Sequence, residues 1–217
     1  FHGRTVTTLK ATGQTRFHDY FFPFTEGFDY AVAGDLDDLK SKIDDSTCAI
    51  MFELIQGEGG VLPQDPAFVQ AVRELCTEKD LLLIVDEVQT GIGRTGSLFC
   101  FQQYGILPDV VTMAKGLGGG VPIGAVMAAK NCCDVLTPGT HATTFGGTPT
   151  VCAAANAVLS IVNDEKFLAE VREKGEYLKN AILSLGSPAI HGVRGKGLML
   201  GIIVDEGQPS VFANKLI

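Results

Sequence analysis

An acid and a lysine each follow an apolar run in the middle of the sequence. Leu81–Val85 is continuously apolar and precedes Asp86, and the apolar run of Val110–Met113 is followed closely by Lys115. Uninterrupted apolar strands are typical of parallel sheets that are covered on both faces. Ligands of open α/β sheets bind at the carboxyl ends of the strands. We therefore expect Asp86 and Lys115 to lie near each other at one edge of a sheet.

This pair suits a cofactor that needs a carboxylate at one end and an amine at the other. A buried carboxylate requires a cationic or hydrogen-bonding partner, and a desolvated lysine loses its proton more readily and becomes a nucleophile. Pyridoxal phosphate chemistry requires an acid at the ring nitrogen and a lysine that holds the aldehyde. Taken singly, Asp86 could equally be a helix cap or a structural ion pair, and Lys115 a surface residue.

A strand–helix–strand unit would position the acid. An apolar strand is predicted over Thr47–Phe52, and Asp65 followed by Pro66 is typical of a helix start. Apolar residues then recur at helical spacing as far as Lys79, and the strand from Leu81 follows. Such units are right-handed crossovers in parallel sheets. The sequence therefore predicts an α/β fold with a mostly parallel sheet.

The remaining elements are read from periodicity, caps and glycines. A short helix is predicted within 34–45 with Asp35 as its cap, and a long amphipathic helix within 167–185 with Gly186 as its C-terminal cap. The other predicted elements are a strand over 123–129, an alanine-rich helix over 151–163 and a turn feeding one strand over 192–205.

The composition excludes several classes of protein. The chain has 217 residues, of which 46% are hydrophobic and 19% charged, so a sizeable core is expected. A net charge of −8 with scattered basic residues argues against a nucleic-acid partner, and the apolar runs are shorter than the roughly 18 residues of a membrane span. Six cysteines without a C-x-x-C pair are typical of a reduced, cytosolic protein. The four histidines lack metal-ligand spacing, which predicts no metal site.

Both ends of the sequence lead us to expect a piece of a longer polypeptide. Phe1 stands in a turn-like segment with no helix or strand before it, and Pro209–Ile217 reads as the start of a helix. The first residues do not have the pattern of a signal peptide, so we expect none in this stretch.

Six blocks that together span almost the whole chain resemble one enzyme family. ELIQGEGG at 53–60, DEVQTGIGRTG at 86–96 and AKGLGGGVPIGA around Lys115 resemble the class-III, fold-type-I aminotransferases, which depend on pyridoxal phosphate. FHGRT at 1–5, GTHATTFGG at 139–147 and VRGKGLMLGI at 193–202 are similar to the acetylornithine/ornithine branch.

The resemblance implies a particular architecture and reaction. It implies a three-layer α/β/α large domain at residues 1–185, lacking its N-terminal part, and the start of a smaller C-terminal α+β domain at 186–217. The implied reaction moves the δ-amino group of N-acetyl-L-ornithine to 2-oxoglutarate by a ping-pong mechanism, in arginine biosynthesis. The implied assembly is a homodimer with shared active sites in the cytoplasm.

The resemblance also implies which residues hold the cofactor. Lys115 matches the Schiff-base lysine, and Asp86 matches the acid that pairs with the pyridine nitrogen. Gln89 matches the residue near the phenolic oxygen of the ring. Val88 would pack on one face of the ring and Phe1 would stack on the other.

Two threonines are expected to act across the dimer, because Thr143 and Thr144 match positions that reach the cofactor phosphate of the other subunit. The sequence departs from the family at Leu54, usually proline, and at Thr148, often asparagine. The phosphate-binding glycine/serine turn of the family precedes FHGRT and is absent here. We therefore expect this stretch alone to be inactive.

Substrate contacts are implied for Arg4, Glu53, Glu58 and Arg194. Arg4 resembles the arginine that grips a substrate carboxylate, and Arg194 resembles the one that binds the α-carboxylate of glutamate or 2-oxoglutarate. Glu58 would cover Arg194 while the amine donor is bound. A guanidinium binds carboxylates through two parallel hydrogen bonds, so a competing carboxylate could displace Glu58.

Other functions stay open at this point. Gly91–Gly96 formally satisfies G-x-G-x-x-G and would indicate an NAD-binding oxidoreductase. A non-catalytic protein with the same fold is a second alternative. Within the family, the alternatives are an ornithine, succinylornithine or 4-aminobutyrate aminotransferase and an aminomutase.

Overall fold

The computed structural model describes residues 1–205 and 209–216. Its helices are α1 (Val6–Ala11), α2 (Leu36–Ser41), α3 (Pro66–Glu78), α4 (Pro149–Val162), α5 (Glu165–Ser184) and α6 (Pro209–Leu216). Its strands are β1 (Ala49–Phe52), β2 (Ile55–Gln56), β3 (Leu62–Pro63), β4 (Leu82–Asp86), β5 (Val110–Met113), β6 (Ala125–Ala128), β7 (Gly192–Lys196) and β8 (Met199–Ile203). The helix predicted from Pro209 is present as α6, and Ile217 lies outside the described residues.

The central sheet has the strand order β1-β4-β5-β6. β1, β4 and β5 run parallel, and β6 is antiparallel to β5. The link from β5 to β6 is too short for a crossover helix, so the chain returns antiparallel. The predicted α/β fold with a mostly parallel sheet is therefore confirmed, and the register places Asp86 of β4 beside Thr112 of β5.

One face of the sheet is buried against α3. Leu83 and Val85 of β4 and Val111 of β5 point to this face and are at most 2% exposed. The apolar stripe of α3 packs onto them through Val69, Val72, Leu75 and Cys76. Because side chains alternate along a strand, Asp86 points to the opposite face.

The predicted caps are confirmed. The Asp65 carboxylate accepts hydrogen bonds from the N–H groups of Ala67 and Phe68 at the start of α3, where Pro66 is the first residue. Asp35 caps α2 in the same way. Gly186 follows α5 with φ of +60°, the left-handed conformation that a glycine adopts without strain.

The C-terminal segment forms a hairpin where the sequence predicted one strand. β7 and β8 pair antiparallel around Gly197, which has φ of +53°. A Cβ on Gly197 would lie 2.6 Å from the backbone of Thr95, and one on Gly175 of α5 would lie 2.3 Å from the carbonyl oxygen of Gly197. Met199 joins the main core. The division into domains at residues 185 and 186 stays a prediction.

No helix in the described residues is long and apolar enough to cross a membrane.

Glu87 is a fully buried carboxylate that organises the chain after β4. It accepts hydrogen bonds from the N–H groups of Cys100 and Phe101, at 3.0 and 2.8 Å, and from the hydroxyl of Thr90. Burial raises the pKa of Glu87, although these three donors oppose the shift. The side chain therefore ties the loop after β4 to the turn of 3-10 helix at Cys100–Tyr104.

We predict that Glu87→Ala lowers the free energy of unfolding by about 3 kcal/mol, because it leaves two buried backbone N–H groups without an acceptor. Urea denaturation measures this. Glu78→Ala at the exposed end of α3 is the control and should change stability by less than about 0.5 kcal/mol. Equal effects of the two substitutions would contradict the structural role of Glu87.

Candidate active site

Asp86 is an ionised carboxylate at the carboxyl end of β4. It is 3% exposed, and its Oδ2 accepts a hydrogen bond from Nδ1 of His2 at 2.7 Å. Its Oδ1 accepts one from the N–H of Val88 at 2.9 Å. Burial alone would raise the pKa of Asp86, but these hydrogen bonds outweigh it and hold the pKa below its ordinary value.

Lys115 follows β5 and faces the same group of residues. Its Nζ lies 2.9 Å from Nε2 of His2, so His2 links the lysine to Asp86. The predicted proximity of Asp86 and Lys115 is confirmed. Desolvation lowers the pKa of Lys115, although the charges of Glu53 and Asp86 oppose the shift. Lys115 also has φ of +45°, a strained conformation of the kind that clusters at functional sites.

His2 is the site residue that sequence reasoning missed. With its Nδ1–H donating to Asp86, the imidazole leaves Nε2 free to accept a hydrogen bond from the Lys115 ammonium. The sequence did contain a signal, because His2 lies inside the FHGRT block, but that block drew attention to Phe1 and Arg4. No sequence spacing joins His2 to Asp86, which lies 84 residues further on.

Glu53 lies beside this group, at the end of β1. It is 9% exposed, accepts a hydrogen bond from the N–H of Gly57 at 3.0 Å and lies 3.8 Å from Nδ1 of His2. Burial raises its pKa, and the charge of Asp86 raises it further. Glu53 is therefore a second carboxylate next to the His2–Asp86 pair.

Ligand atoms of His2, Glu53 and Asp86 lie within 4.8 Å of one another, which is close enough to hold a metal ion. The positive amine of Lys115, 2.9 Å from the imidazole, disfavours a divalent cation there. The amine and the carboxylates instead suit an organic cofactor with a carbonyl and a ring nitrogen.

Gln89 presents a buried amide that has no partner among the described residues. Its Nε2 is fully enclosed and makes no hydrogen bond. A Cβ on Gly57 would lie 2.5 Å from that atom, so the glycine makes room for the amide. A buried donor without an acceptor requires an explanation, and a ligand oxygen would supply one.

Phe1 and Val88 are both linked to Asp86, Phe1 through His2 and Val88 directly. Phe1 neighbours His2, their rings meeting edge to face at 5.3 Å. Val88 is half-buried and supplies the backbone N–H to Asp86. Thr143 and Thr144, in contrast, lie in an exposed loop.

In this structure Glu58 and Arg194 contact other groups of the chain and not each other. Glu58 forms an ion pair with Arg16 at 3.9 Å, while Arg194 donates a hydrogen bond to the carbonyl oxygen of Gly60 at 2.9 Å. Within residues 1–205 and 209–216, Arg194 forms no ion pair within 4.0 Å, and Arg16 is the cation that Glu58 reaches. The expected Glu58–Arg194 contact concerns the enzyme with its amine donor bound and stays a prediction.

Arg4 is held close to its own turn. Its guanidinium donates to the carbonyl oxygens of Phe1 and Gly3 and stacks over the rings of Phe1 and Phe17, at 4.6 and 4.9 Å. It remains exposed, which leaves its remaining N–H groups accessible to a carboxylate.

The glycines of the G-x-G-x-x-G match are packing sites. A Cβ on Gly93 would lie 2.6 Å from Val162 of α4, and one on Gly96 would lie 2.4 Å from Arg172 of α5. The chain then enters the 3-10 turn at Cys100–Tyr104 instead of a helix beginning at the glycines. The structure therefore contradicts a dinucleotide-binding motif at Gly91–Gly96.

Comparison with known proteins agrees with this geometry. A family model described as Aminotransferase class-III matches residues 1–216, and the chain belongs to that family. The curated acetylornithine aminotransferase of Haemophilus ducreyi is 52% identical over 207 residues, which cover 95% of this chain and 52% of the relative. The chain thus spans about half the length of the curated relatives it matches.

Two solved structures share the fold. The ornithine aminotransferase of Toxoplasma gondii, whose structure reveals partial occupancy of PLP at its active site, has a TM-score of 0.88 and 38% identity, with 94% of this chain and 49% of that one covered. The N-acetylornithine aminotransferase of Stenotrophomonas maltophilia K279a has a TM-score of 0.77 and 36% identity, with 88% and 52% covered. The cofactor is therefore pyridoxal phosphate, which the family uses and which the Asp86 carboxylate and the Lys115 amine suit.

We predict that an amine-modifying reagent, added in trace amount, reacts with Lys115 at a lower pH than with an ordinary lysine, whose pKa is about 10.4. The neutral amine is the reactive form, and a lowered pKa leaves more of it at a given pH. Peptide mass spectrometry across a pH series measures this. Glu53→Gln should move the profile lower still, because it removes the largest opposing charge. A profile that coincides with the other lysines would refute the prediction.

We predict that His2→Ala lowers stability by about 3 kcal/mol at neutral pH, because it strips a buried charge of a partner. The pKa of Asp86 is depressed in the folded protein, so its contribution is present above the unfolded value near 4 and is lost as the pH falls through the folded value. The difference from wild type should therefore shrink in acid.

Urea unfolding at several pH values measures that difference. His18→Ala is the matched control, because its ring bonds to the carbonyl oxygen of Thr12 and to no carboxylate. If both histidine variants lose stability with the same pH dependence, His2 does not hold the Asp86 charge.

Proposed function

We propose that this chain forms the cofactor-binding part of an aminotransferase that moves the δ-amino group of N-acetyl-L-ornithine to 2-oxoglutarate. The products are N-acetylglutamate 5-semialdehyde and glutamate, a step of arginine biosynthesis. The observation that carries the proposal is the Asp86–His2–Lys115 connection beside the enclosed amide of Gln89. The 52% identity to an acetylornithine aminotransferase supports the choice of amine donor.

Pyridoxal phosphate, when bound, supplies a carbonyl that carries the amino group between substrates and a ring that accepts electrons. Lys115 would be the amine that holds the cofactor and that carries the proton during transfer. Asp86, whose pKa is depressed, would pair as a carboxylate with the ring nitrogen. Gln89 would offer its free amide N–H to the phenolic oxygen, and Phe1 and Val88 would pack on the ring faces.

Substrates are held by charged side chains around the entrance. Arg4 binds a substrate carboxylate with the N–H groups that its own turn leaves free. Glu53 is proposed to contact substrate, and Glu58 is proposed to cover Arg194 while the amine donor is bound. Arg194 is proposed to bind the α-carboxylate of 2-oxoglutarate or glutamate, for which it must release the carbonyl oxygen of Gly60.

The substitution Lys115→Ala tests the reaction type. In the full-length enzyme, removing the amine should lower kcat by at least about a thousandfold, because it removes both the covalent attachment of the cofactor and the group that carries the proton. In wild type, borohydride should fix pyridoxal phosphate to Lys115, as peptide mass spectrometry would detect. Transamination that survives Lys115→Ala would overturn the mechanism.

The donor is tested separately, with purified enzyme and a panel of amines. N-acetylornithine should give the highest kcat/KM. Ornithine is the second candidate, because a solved ornithine aminotransferase has the high TM-score of 0.88. A preference for ornithine, N-succinylornithine or 4-aminobutyrate would replace the donor and leave the reaction type standing.

The protein is proposed to be a cytoplasmic homodimer whose active sites are shared. Six free cysteines in the described part of the chain support a reducing compartment. Thr143 and Thr144 are exposed, and so are the apolar side chains of Val126 in β6 and of Leu136 and Phe145 in the residues that follow it. We propose that this surface meets a second copy and that the two threonines reach its cofactor phosphate.

Mixing two inactive variants tests the shared site. A Lys115→Ala chain keeps its threonines, and a chain with Thr143→Ala and Thr144→Ala keeps its lysine. Each mixed dimer would contain one intact site, so unfolding and refolding the two together should restore about a quarter of wild-type activity. Mixed dimers that form but stay inactive would contradict the shared site.

A further inference from the structure

Thr112 carries a buried hydroxyl that the mechanism above does not use. Its Oγ1 is fully enclosed and has no hydrogen-bond partner among the described residues. A buried polar atom without a partner is uncommon and requires an explanation. Thr112 lies three residues before Lys115 on the strand that delivers the lysine.

The sheet register defines what the hydroxyl can reach. Thr112 pairs with Asp86 on β4 and with Val126 on β6. Paired residues on neighbouring strands point to the same face, and that face is opposite the one where Val85 and Val111 are buried. Of the two lateral neighbours, Asp86 is the one with a polar side chain.

The Asp86 carboxylate has room for this donor. An ionised carboxylate offers about four lone-pair positions. His2 occupies one on Oδ2 and the N–H of Val88 occupies one on Oδ1. One of the remaining positions serves the ring nitrogen of the cofactor, and one is left.

We propose that Thr112 is a positioning residue for Asp86, whose carboxylate accepts a hydrogen bond from the Thr112 hydroxyl once the cofactor is bound. The proposal rests on the proposed function, since it requires that Asp86 contacts the ring nitrogen. Three donors from the protein (His2, the N–H of Val88 and the Thr112 hydroxyl) and one from the cofactor would then occupy the four lone-pair positions of the two oxygens. The Thr112 hydroxyl on β5 would hold the Asp86 carboxylate on the neighbouring strand β4 in one orientation.

Thr112→Val tests the proposal, because it removes the hydroxyl and keeps the branched shape. Titration of the cofactor-free protein with pyridoxal phosphate, followed by visible absorbance, gives the dissociation constant. One lost hydrogen bond to a charged group should weaken binding about tenfold. Thr112→Ser, which keeps the hydroxyl, should bind within about twofold of wild type. Equal affinity of Thr112→Val and wild type would overturn the proposal.

Stability of the cofactor-free protein separates positioning from a structural role. The hydroxyl has no partner there, so Thr112→Val should unfold at the same urea concentration as wild type or a higher one. Thr90→Val is the matched control, since the Thr90 hydroxyl donates to buried Glu87 and its loss should lower the midpoint. A midpoint for Thr112→Val as low as that of Thr90→Val would contradict the proposal.

A double-mutant cycle tests whether the effect passes through Asp86. In an Asp86→Asn background, Thr112→Val should change the dissociation constant by at most about twofold. A full tenfold effect in that background would mean that the hydroxyl acts on the cofactor itself, and the proposal would fail. If wild type gave no visible band and no borohydride adduct at Lys115, the proposed function would fail instead.

Discussion

The charge on Asp86 is the interaction on which the site depends. A carboxylate that is 3% exposed stays ionised only because His2 and the backbone N–H of Val88 both donate to it. An unpartnered buried charge would cost several kcal/mol and would be neutralised by protonation. The same charge opposes the loss of a proton from Lys115 and raises the pKa of Glu53. The acid, the histidine and the lysine therefore form one electrostatic unit.

The segment between Asp86 and Lys115 keeps that unit rigid. Glu87 fastens the loop after β4 from inside the core, while Gly93 and Gly96 let α4 and α5 approach the loop closely. The hairpin of β7 and β8 closes onto the same loop at Gly197. A motif that formally resembles a nucleotide-binding turn is thus a packing surface, because larger residues at these glycines would clash with the helices.

Cofactor and substrate residues differ in how firmly the fold holds them. Asp86 and the Nε2 atom of Gln89 are buried, whereas Arg4 and Glu58 are exposed and contact nearby groups of the chain itself. A solvated ion pair such as Glu58–Arg16 contributes at most about 1 kcal/mol and is easily exchanged. This difference suits a site that keeps one cofactor and admits two different substrates in turn.

Much of the fold and of the site was predictable from the sequence. The apolar runs, the Asp65–Pro66 cap and the glycine at position 186 determine β4, β5, α3 and the end of α5, because periodicity and capping are local properties of the chain. The positions of Asp86 and Lys115 after these two strands identified them as site residues. Only the tertiary structure decided that His2 joins them, that Glu58 pairs with Arg16, and that Thr112 stands beside Asp86. Those contacts join residues far apart in sequence, and their partners are set by strand register and packing, which no local pattern encodes.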